Sequence, residues 1–308
     1  MELTIKTNSG LKLYSNLLNL DNDNPHYLNH KMKHPADILH SAAEKITRAL
    51  TKFTTSIPLH ELDTDSEKEK SIFDYVLALD HFYDQLLLII KALSKASEKN
   101  NKDVTIWLKE NNPEAYGKFK DATTKPHNII RKIANKIKHD TVEVSYLTVG
   151  DHKGREIKGF YFSTIVGPDE LCGPDPEIHL EYKGGATAFS YDYFQRYTAG
   201  YVATCLYHLN KIFFSGKNQK QIENKVLCDY FSKKSTSGKL ILPNEYQLDL
   251  AFISLEQNTI KIKYPAKEEK DVNSDKITSI SPLFKINKRT RSSRNQYPYF
   301  QLQNQHTK

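Results

Sequence analysis

The chain has 308 residues, with 44 Lys+Arg against 37 Asp+Glu for a formal net charge of +7. Hydrophobic residues make up 38% and charged residues 26%, with 12 Gly and 12 Pro, a balance that excludes the disordered and low-complexity classes and allows one large core or two ordinary domains. The 18 Tyr and 14 Phe supply core bulk, and three distant cysteines, Cys172, Cys205 and Cys228, exclude a disulfide scaffold or Cys-rich zinc site and predict a reducing, cytoplasmic setting.

The N-terminus lacks the basic start and unbroken apolar run of a signal peptide, and no later stretch reaches the ~18 consecutive apolar residues of a membrane helix, so no membrane contact is expected. Over residues 1–35, Leu3 and Ile5, then Leu11 and Leu13, alternate around Asn8-Ser9-Gly10, which predicts a short hairpin and an irregular Asn- and His-rich connector. From Ala36 to about Thr55, Ile38, Leu39, Ala42, Ala43, Ile46, Leu50 and Phe53 recur at helical spacing, bracketed by Pro35 and Pro58. The strongest periodicity runs from Ser66 to about Ser97, where Ile72, Val76, Leu79, Tyr83, Leu86, Ile90 and Leu93 step by three or four and predict the central helix of a bundle. A short helix over Val104 to Glu110 and a turn at Asn111-Asn112-Pro113 lead to a third long helix ending near Lys138-His139-Asp140.

Beyond His139 the period changes to two. Val142, Val144 and Tyr146, then Ile157, Phe160, Phe162 and Ile165, read as strands, and Ile178 to Tyr182 reads as another before Lys183-Gly184-Gly185 closes an insertion at about 141–185. Ser190 is placed to cap a helix bearing Phe194, Tyr197, Tyr201, Cys205, His208 and Ile212 on one face, and a further helix is expected over Gln219 to Ser232. Past Lys239, Leu248, Leu250 and Phe252 and the alternating Ile260, Ile262 and Tyr264 turn β-like again. Residues 271–308 hold seven Lys/Arg against two Asp, so +5 of the net +7 lies there. The expected class is α+β in three regions: 1–35, a helical bundle with its β insertion over 36–233, and a β-containing basic region over 234–308.

One helix carries a chemical constellation. At about 100° per residue, Ile129, Ile130, Ile133 and Ile137 gather on one side of the third long helix, while Arg131, Asn135, Lys138 and His139 fall within a sector of roughly 100° on the other. Imidazole moves a proton near neutral pH, and guanidinium and ammonium neutralise charge on a phosphate, so such a group needs neither metal nor cofactor. The alternative is the ordinary solvated face of an amphipathic helix. Asp80, His81 and Asp84 interrupt the apolar stripe of the central helix, either on its wet side or with an aspartate facing the His139 cluster.

Asn135-Lys136-Ile137-Lys138-His139, ending an amphipathic helix inside a bundle, resembles the signature helix of the HEPN superfamily, and the following strands, the Gly173-Pro174-Asp175-Pro176 loop and the return to a long helix at Ser190 resemble its members with a β insertion. The resemblance implies an RNA-binding protein with metal-independent ribonuclease activity, in a defence or toxin–antitoxin setting, whose catalytic residues are His139, Asn135, Arg131 and Lys138, joined across a homodimer or to a partner subunit. The chain departs from the RNxxxH pattern at Ala134, where the pattern has Arg; Arg131 is the nearest substitute, and Lys138 offers a point charge. A non-catalytic HEPN-like interaction or nucleotide-binding protein is the alternative.

Lys285, Lys288, Arg289, Arg291 and Arg294, followed by Tyr297, Tyr299 and Phe300, combine phosphate-neutralising charge with rings on which bases stack, and read as a nucleic-acid-binding tail or as a solvated terminus. His26, His30 and His34 repeat every four residues and would share a helix face, but Pro25 and Pro35 bracket them without an adjacent carboxylate, so no metal site is assigned.

Overall fold

Each amphipathic stripe needs an apolar partner, and in a computed structural model of the protein the long helices supply one another. The structure describes residues 4–7, 9–56, 65–95, 103–140, 142–151, 156–167, 171–215, 222–233, 241–247, 252–256, 259–263, 277–283 and 296–299. In chain order these form β1 (Thr4–Thr7), α1 (Ser9–Leu18), α2 (Pro25–Asn29), α3 (Pro35–Ser56), α4 (Asp65–Ala92), α5 (Val104–Asn111) and α6 (Pro113–His139). There follow β2 (Glu143–Asp151), β3 (Glu156–Gly167), β4 (Leu171–Pro174), β5 (Phe189–Ser190), α7 (Tyr191–Phe214), α8 (Lys225–Ser232), a 3₁₀ turn (Pro243–Gln247), β6 (Phe252–Glu256), β7 (Thr259–Lys263) and β8 (Ile277–Leu283). The protein is therefore a mixed helix-and-sheet α+β fold.

Helices α3, α4, α6 and α7 form the bundle, with α4 in contact with each of the other three. Phe53 of α3 stacks on Tyr75 of α4 at 5.2 Å, and Phe194 of α7 meets Phe160 of β3 edge-on at 5.3 Å, so one aromatic core joins the bundle to the sheet. Its buried hydroxyls are paired: the Tyr75 hydroxyl lies 2.7 Å from Thr198 Oγ1 and 3.0 Å from the Tyr230 hydroxyl. Helix α6 starts where the Asn112 side chain accepts from the Ala115 N–H, with Pro113 in the first turn, and it continues through Pro126, whose carbonyl accepts the Tyr197 hydroxyl at 2.6 Å. Ser190 caps α7 as its position predicts, accepting from the Tyr193 N–H at 3.1 Å.

Two antiparallel sheets flank the bundle. In the larger, the order β4-β3-β2-β8 has β5 added to β3, with Val144 opposite Phe162 and Tyr146 opposite both Phe160 and Leu283; the smaller has the order β1-β7-β6. Strand β8 thus adds an edge from the C-terminal region to the sheet made by the β insertion. Gly159 is required at the β3–β5 crossing, since a Cβ there would lie 2.7 Å from the Phe189 carbonyl oxygen. The buried Glu245 carboxylate ties the 3₁₀ turn to the start of α7, accepting from the Ser190 N–H and hydroxyl, both at 2.7 Å, and from the Leu242 N–H at 2.6 Å.

Three local expectations are corrected. The chain after Asn8 does not return as a hairpin: β1 pairs with β7, and α1 packs between α7 and α3 with Leu11, Leu13 and Leu17 buried. Burial on two sides takes in Leu11 as well as the 13/17 pair, which mimics strand alternation over so short a run. Ile178 to Tyr182 is not a strand: a turn over 176–178 is held by the Asp175 side chain accepting from the Glu177 N–H at 2.9 Å and its carbonyl from the His179 N–H at 2.8 Å, and Tyr182 makes an isolated antiparallel bridge to Gly185. The helix expected from Gln219 begins only at Lys225, where Asn224 accepts from the Leu227 N–H. Leu248, Leu250 and Tyr264 lie outside the described residues.

Candidate nucleic-acid interface

The wheel assignment of α6 holds: Ile130 and Ile133 are fully buried, Ile129 and Ile137 pack at the core edge, and Asn135, Lys138 and His139 are exposed. Ala134 is also fully buried. An arginine at that position, where the RNxxxH pattern has one, would enter the core rather than join Asn135 and His139.

The four predicted residues share a side of the helix but have different electrostatic roles. Arg131 is held by α4, with its Nε 3.1 Å from Asp80 Oδ1, its Nη1 3.2 Å from Asp80 Oδ2 and its Nη2 2.9 Å from Asp84 Oδ1. Lys138 donates to the same Asp80 Oδ2 at 2.7 Å. The Asp80 side chain is only 1% exposed, so a buried carboxylate binds two of the four cluster residues, and packing of α4 on α6 sets their geometry. The spacing that produces this is simple: Asp80 and Asp84 are one turn apart on α4, while Arg131 and Lys138 are two turns apart on α6.

A second buried aspartate grips the helix from the other flank. Lys136 Nζ lies 2.8 Å from Asp175 Oδ2 and 3.5 Å from Glu177 Oε2, and the bond to Asp175 pushes the Lys136 ammonium above its ordinary pKa. Between these two ion-paired flanks, Lys132, Asn135, Lys136, His139, Asp140 and Glu177 line an open depression of about 360 Å³. Of the predicted quartet, only Asn135 and His139 face it.

Beneath Arg131 lies a buried polar stack. The His127 ring sits 3.7 Å from the Tyr83 ring at an interplanar angle of 11°, its Nδ1 is 3.0 Å from the Tyr201 hydroxyl, and Tyr83 reaches Thr123 at 3.2 Å. Burial, aided by the Arg131 guanidinium, pushes His127 down to about 4, so it is neutral at pH 7. Burial pushes the neighbouring Cys205 thiol up, which makes it an inert core side chain.

The C-terminal aromatics divide. Lys285, Lys288, Arg289, Arg291 and Arg294, with Phe300, lie outside the described residues. Tyr297 is half-buried, but Tyr299 is 1% exposed within a second core of Leu147, Val149, Ile157, Tyr161, Tyr182, Ala188 and Leu242. Its hydroxyl bonds Asn244 Oδ1 and accepts from the Ala188 N–H at 3.2 Å, while its own N–H donates to the Ala186 carbonyl at 3.0 Å. The expectation that its ring stacks on bases is corrected: Tyr299 is a plug in the fold. Its neighbour Gln296 donates its N–H to the Cys172 carbonyl at 2.8 Å, so removing residues 285–308 takes away structure as well as charge.

His26, His30 and His34 do not share a helix face, because α2 ends at Asn29; His30 Nε2 contacts the Ser94 carbonyl at 3.1 Å and the His34 ring meets Tyr27 edge-on. Among the described residues, no group of three His, Cys, Asp or Glu is arranged to hold a metal ion, and no helix is long and apolar enough to cross a membrane.

Sequence reasoning missed Lys132, Lys136, Asp140 and Glu177 as lining groups, and Asp175 as the buried partner of Lys136. Lys132 and Lys136 adjoin the chosen sector on the wheel and were legible there, whereas Asp175 and Glu177 arrive only through the turn after β4. No protein-family model matches the chain, and no curated protein or solved structure matches it either.

Proposed function

We propose that the protein binds RNA through the outer face of α6. The observation that carries this reading is the open depression in which Asn135 and His139 stand beside Lys132, together an amide, an imidazole and an ammonium suited to phosphate oxygens, while Lys136 is taken up by Asp175 and Glu177, and Asp140 and Glu177 bound the depression with negative charge. The basic series from Lys285 to Arg294 supplies further charge in the sequence, and the HEPN-like signature of α6 supports RNA as the polymer. Asp80 neutralises much of the charge on Arg131 and Lys138, which favours binding over cleavage, since those groups are the cations that a departing phosphate oxygen would need. A second reading, metal-independent cleavage, is favoured by the exposure of His139 one turn from Asn135. The resemblance extends that reading to a homodimer with paired α6 faces and to a defence or toxin role.

The test is fluorescence anisotropy with labelled single-stranded RNA in EDTA, with the same samples run on a denaturing gel. Binding should weaken linearly in log–log form as salt rises, and Asn135→Ala with His139→Ala should lower affinity about tenfold while the RNA stays intact. Absence of binding at low salt overturns the proposal; cleavage lost in His139→Ala replaces it with the enzymatic reading.

A further inference from the structure

The α4 residue that follows Asp80 faces a different neighbour. Asp80 and Asp84 turn to α6, but the His81 ring turns to α3, where Lys45 Nζ lies 3.0 Å from His81 Nε2. Lysine has only donors, so His81 accepts at that nitrogen and its imidazole is neutral in this arrangement. The groups that face His81 are Lys45 from α3, Asp80 and Asp84 from α4 itself, and Lys138 from α6. Both aspartates are already bound, Asp80 by Arg131 and Lys138 and Asp84 by Arg131. Counting Lys45, Arg131 and Lys138 against Asp80 and Asp84 leaves 3 − 2 = +1 with His81 neutral, and +2 once His81 takes a proton.

The exposed Lys45 ammonium therefore meets a neutral base where an ordinary surface lysine would meet a carboxylate, and two of its three donors are left for another acceptor. We infer that Lys45, His81 and Lys138 form a phosphate contact that continues the RNA surface from α6 across α4 to α3. The inference rests on the RNA-binding reading above and extends it to a second stretch of backbone. A phosphate oxygen accepts from Lys45 and, after His81 is protonated, from His81 as well. Burial and Lys45 hold His81 below its ordinary pKa, and an anion at this point opposes both effects. Binding is consequently coupled to proton uptake and tightens as pH falls. A row of cations on three adjacent helices suits a polymer with a charge on every unit better than a single small anion.

The experiment uses the full chain and fluorescein-labelled single-stranded RNA at constant ionic strength between about pH 8 and pH 5.5, a range that spans histidine titration. Lys45→Ala should weaken binding several-fold at every pH and reduce the salt slope by about 0.7, the value for one lost contact to a single strand. Because His139 lines the α6 depression, His81→Gln is compared in a His139→Gln background. The several-fold tightening towards low pH should persist in the single His139→Gln variant and vanish in the double variant. Wild-type RNA binding with an unchanged salt slope in Lys45→Ala, or with the same pH profile in single and double variants, overturns this contact and leaves the α6 reading standing. Failure of the wild type to bind RNA at all overturns the parent reading instead.

Discussion

His127→Phe should make the protein less stable at neutral pH yet less sensitive to acid. The phenylalanine keeps the ring on Tyr83 but leaves the buried Tyr201 hydroxyl with the Cys205 thiol, a weak partner, in place of the imidazole, at a cost of about 1–2 kcal/mol at pH 7. The native imidazole titrates at about 4 rather than at its ordinary 6.5. Between those values the unfolded chain holds a proton that the folded chain refuses, so wild-type stability falls as pH falls. Integrating this difference gives a loss of about 2 kcal/mol from pH 7 to pH 5 and about 3 kcal/mol from pH 7 to pH 4. His179, which burial pushes down to about 3 and whose Nε2 accepts from the Phe162 N–H, adds acid lability of the same sign. It is present in both proteins and cancels in the comparison. Urea denaturation followed by circular dichroism should therefore give stability curves that converge and cross near pH 5. Curves that remain parallel from pH 7 to pH 4.5 would refute the claim that His127 is held neutral by the fold.

Arg131→Ala leaves the buried Asp80 with Lys138 alone and should cost about 2 kcal/mol, less than a fully broken buried pair because one cation remains. Asp80→Ala should cost less, since Arg131 and Lys138 are partly exposed and rehydrate, and it should raise RNA affinity; urea titration and anisotropy on the same variants check both. Tyr299→Ala should destabilise the fold by about 3–5 kcal/mol, the range for emptying a buried aromatic site. Changing Lys285, Lys288, Arg289, Arg291 and Arg294 together to Gln should flatten the salt dependence of RNA binding measured by anisotropy.

The helices of the bundle and the polar sector of α6 were legible in the sequence, because a stripe such as Ile72 to Leu93 repeats for many turns and only a helix brings its members to one face. The Ser190 cap was legible because its side chain acts on an N–H group only three residues away, whereas Asn112, read as a turn residue, proved to cap α6 in the same way. Period-two readings were right where a strand had partners on both sides, as at Val144 and Phe162, and misled over Leu11–Leu13 and Ile178–Tyr182, where too few residues separated alternation from a doubly buried helix or from the irregular chain that follows an Asx-type turn at Asp175. The tertiary structure alone decided which cations of the quartet are bound by carboxylates. Asp80 and Arg131 are 51 positions apart, and no periodicity connects them; the pairing exists because α4 packs on α6 with one particular rotation. It likewise turned Tyr299 from a candidate stacking ring into a core plug, joined to Ala188 across 111 positions, since burial depends on what the chain meets on returning to the sheet and not on the residues beside it.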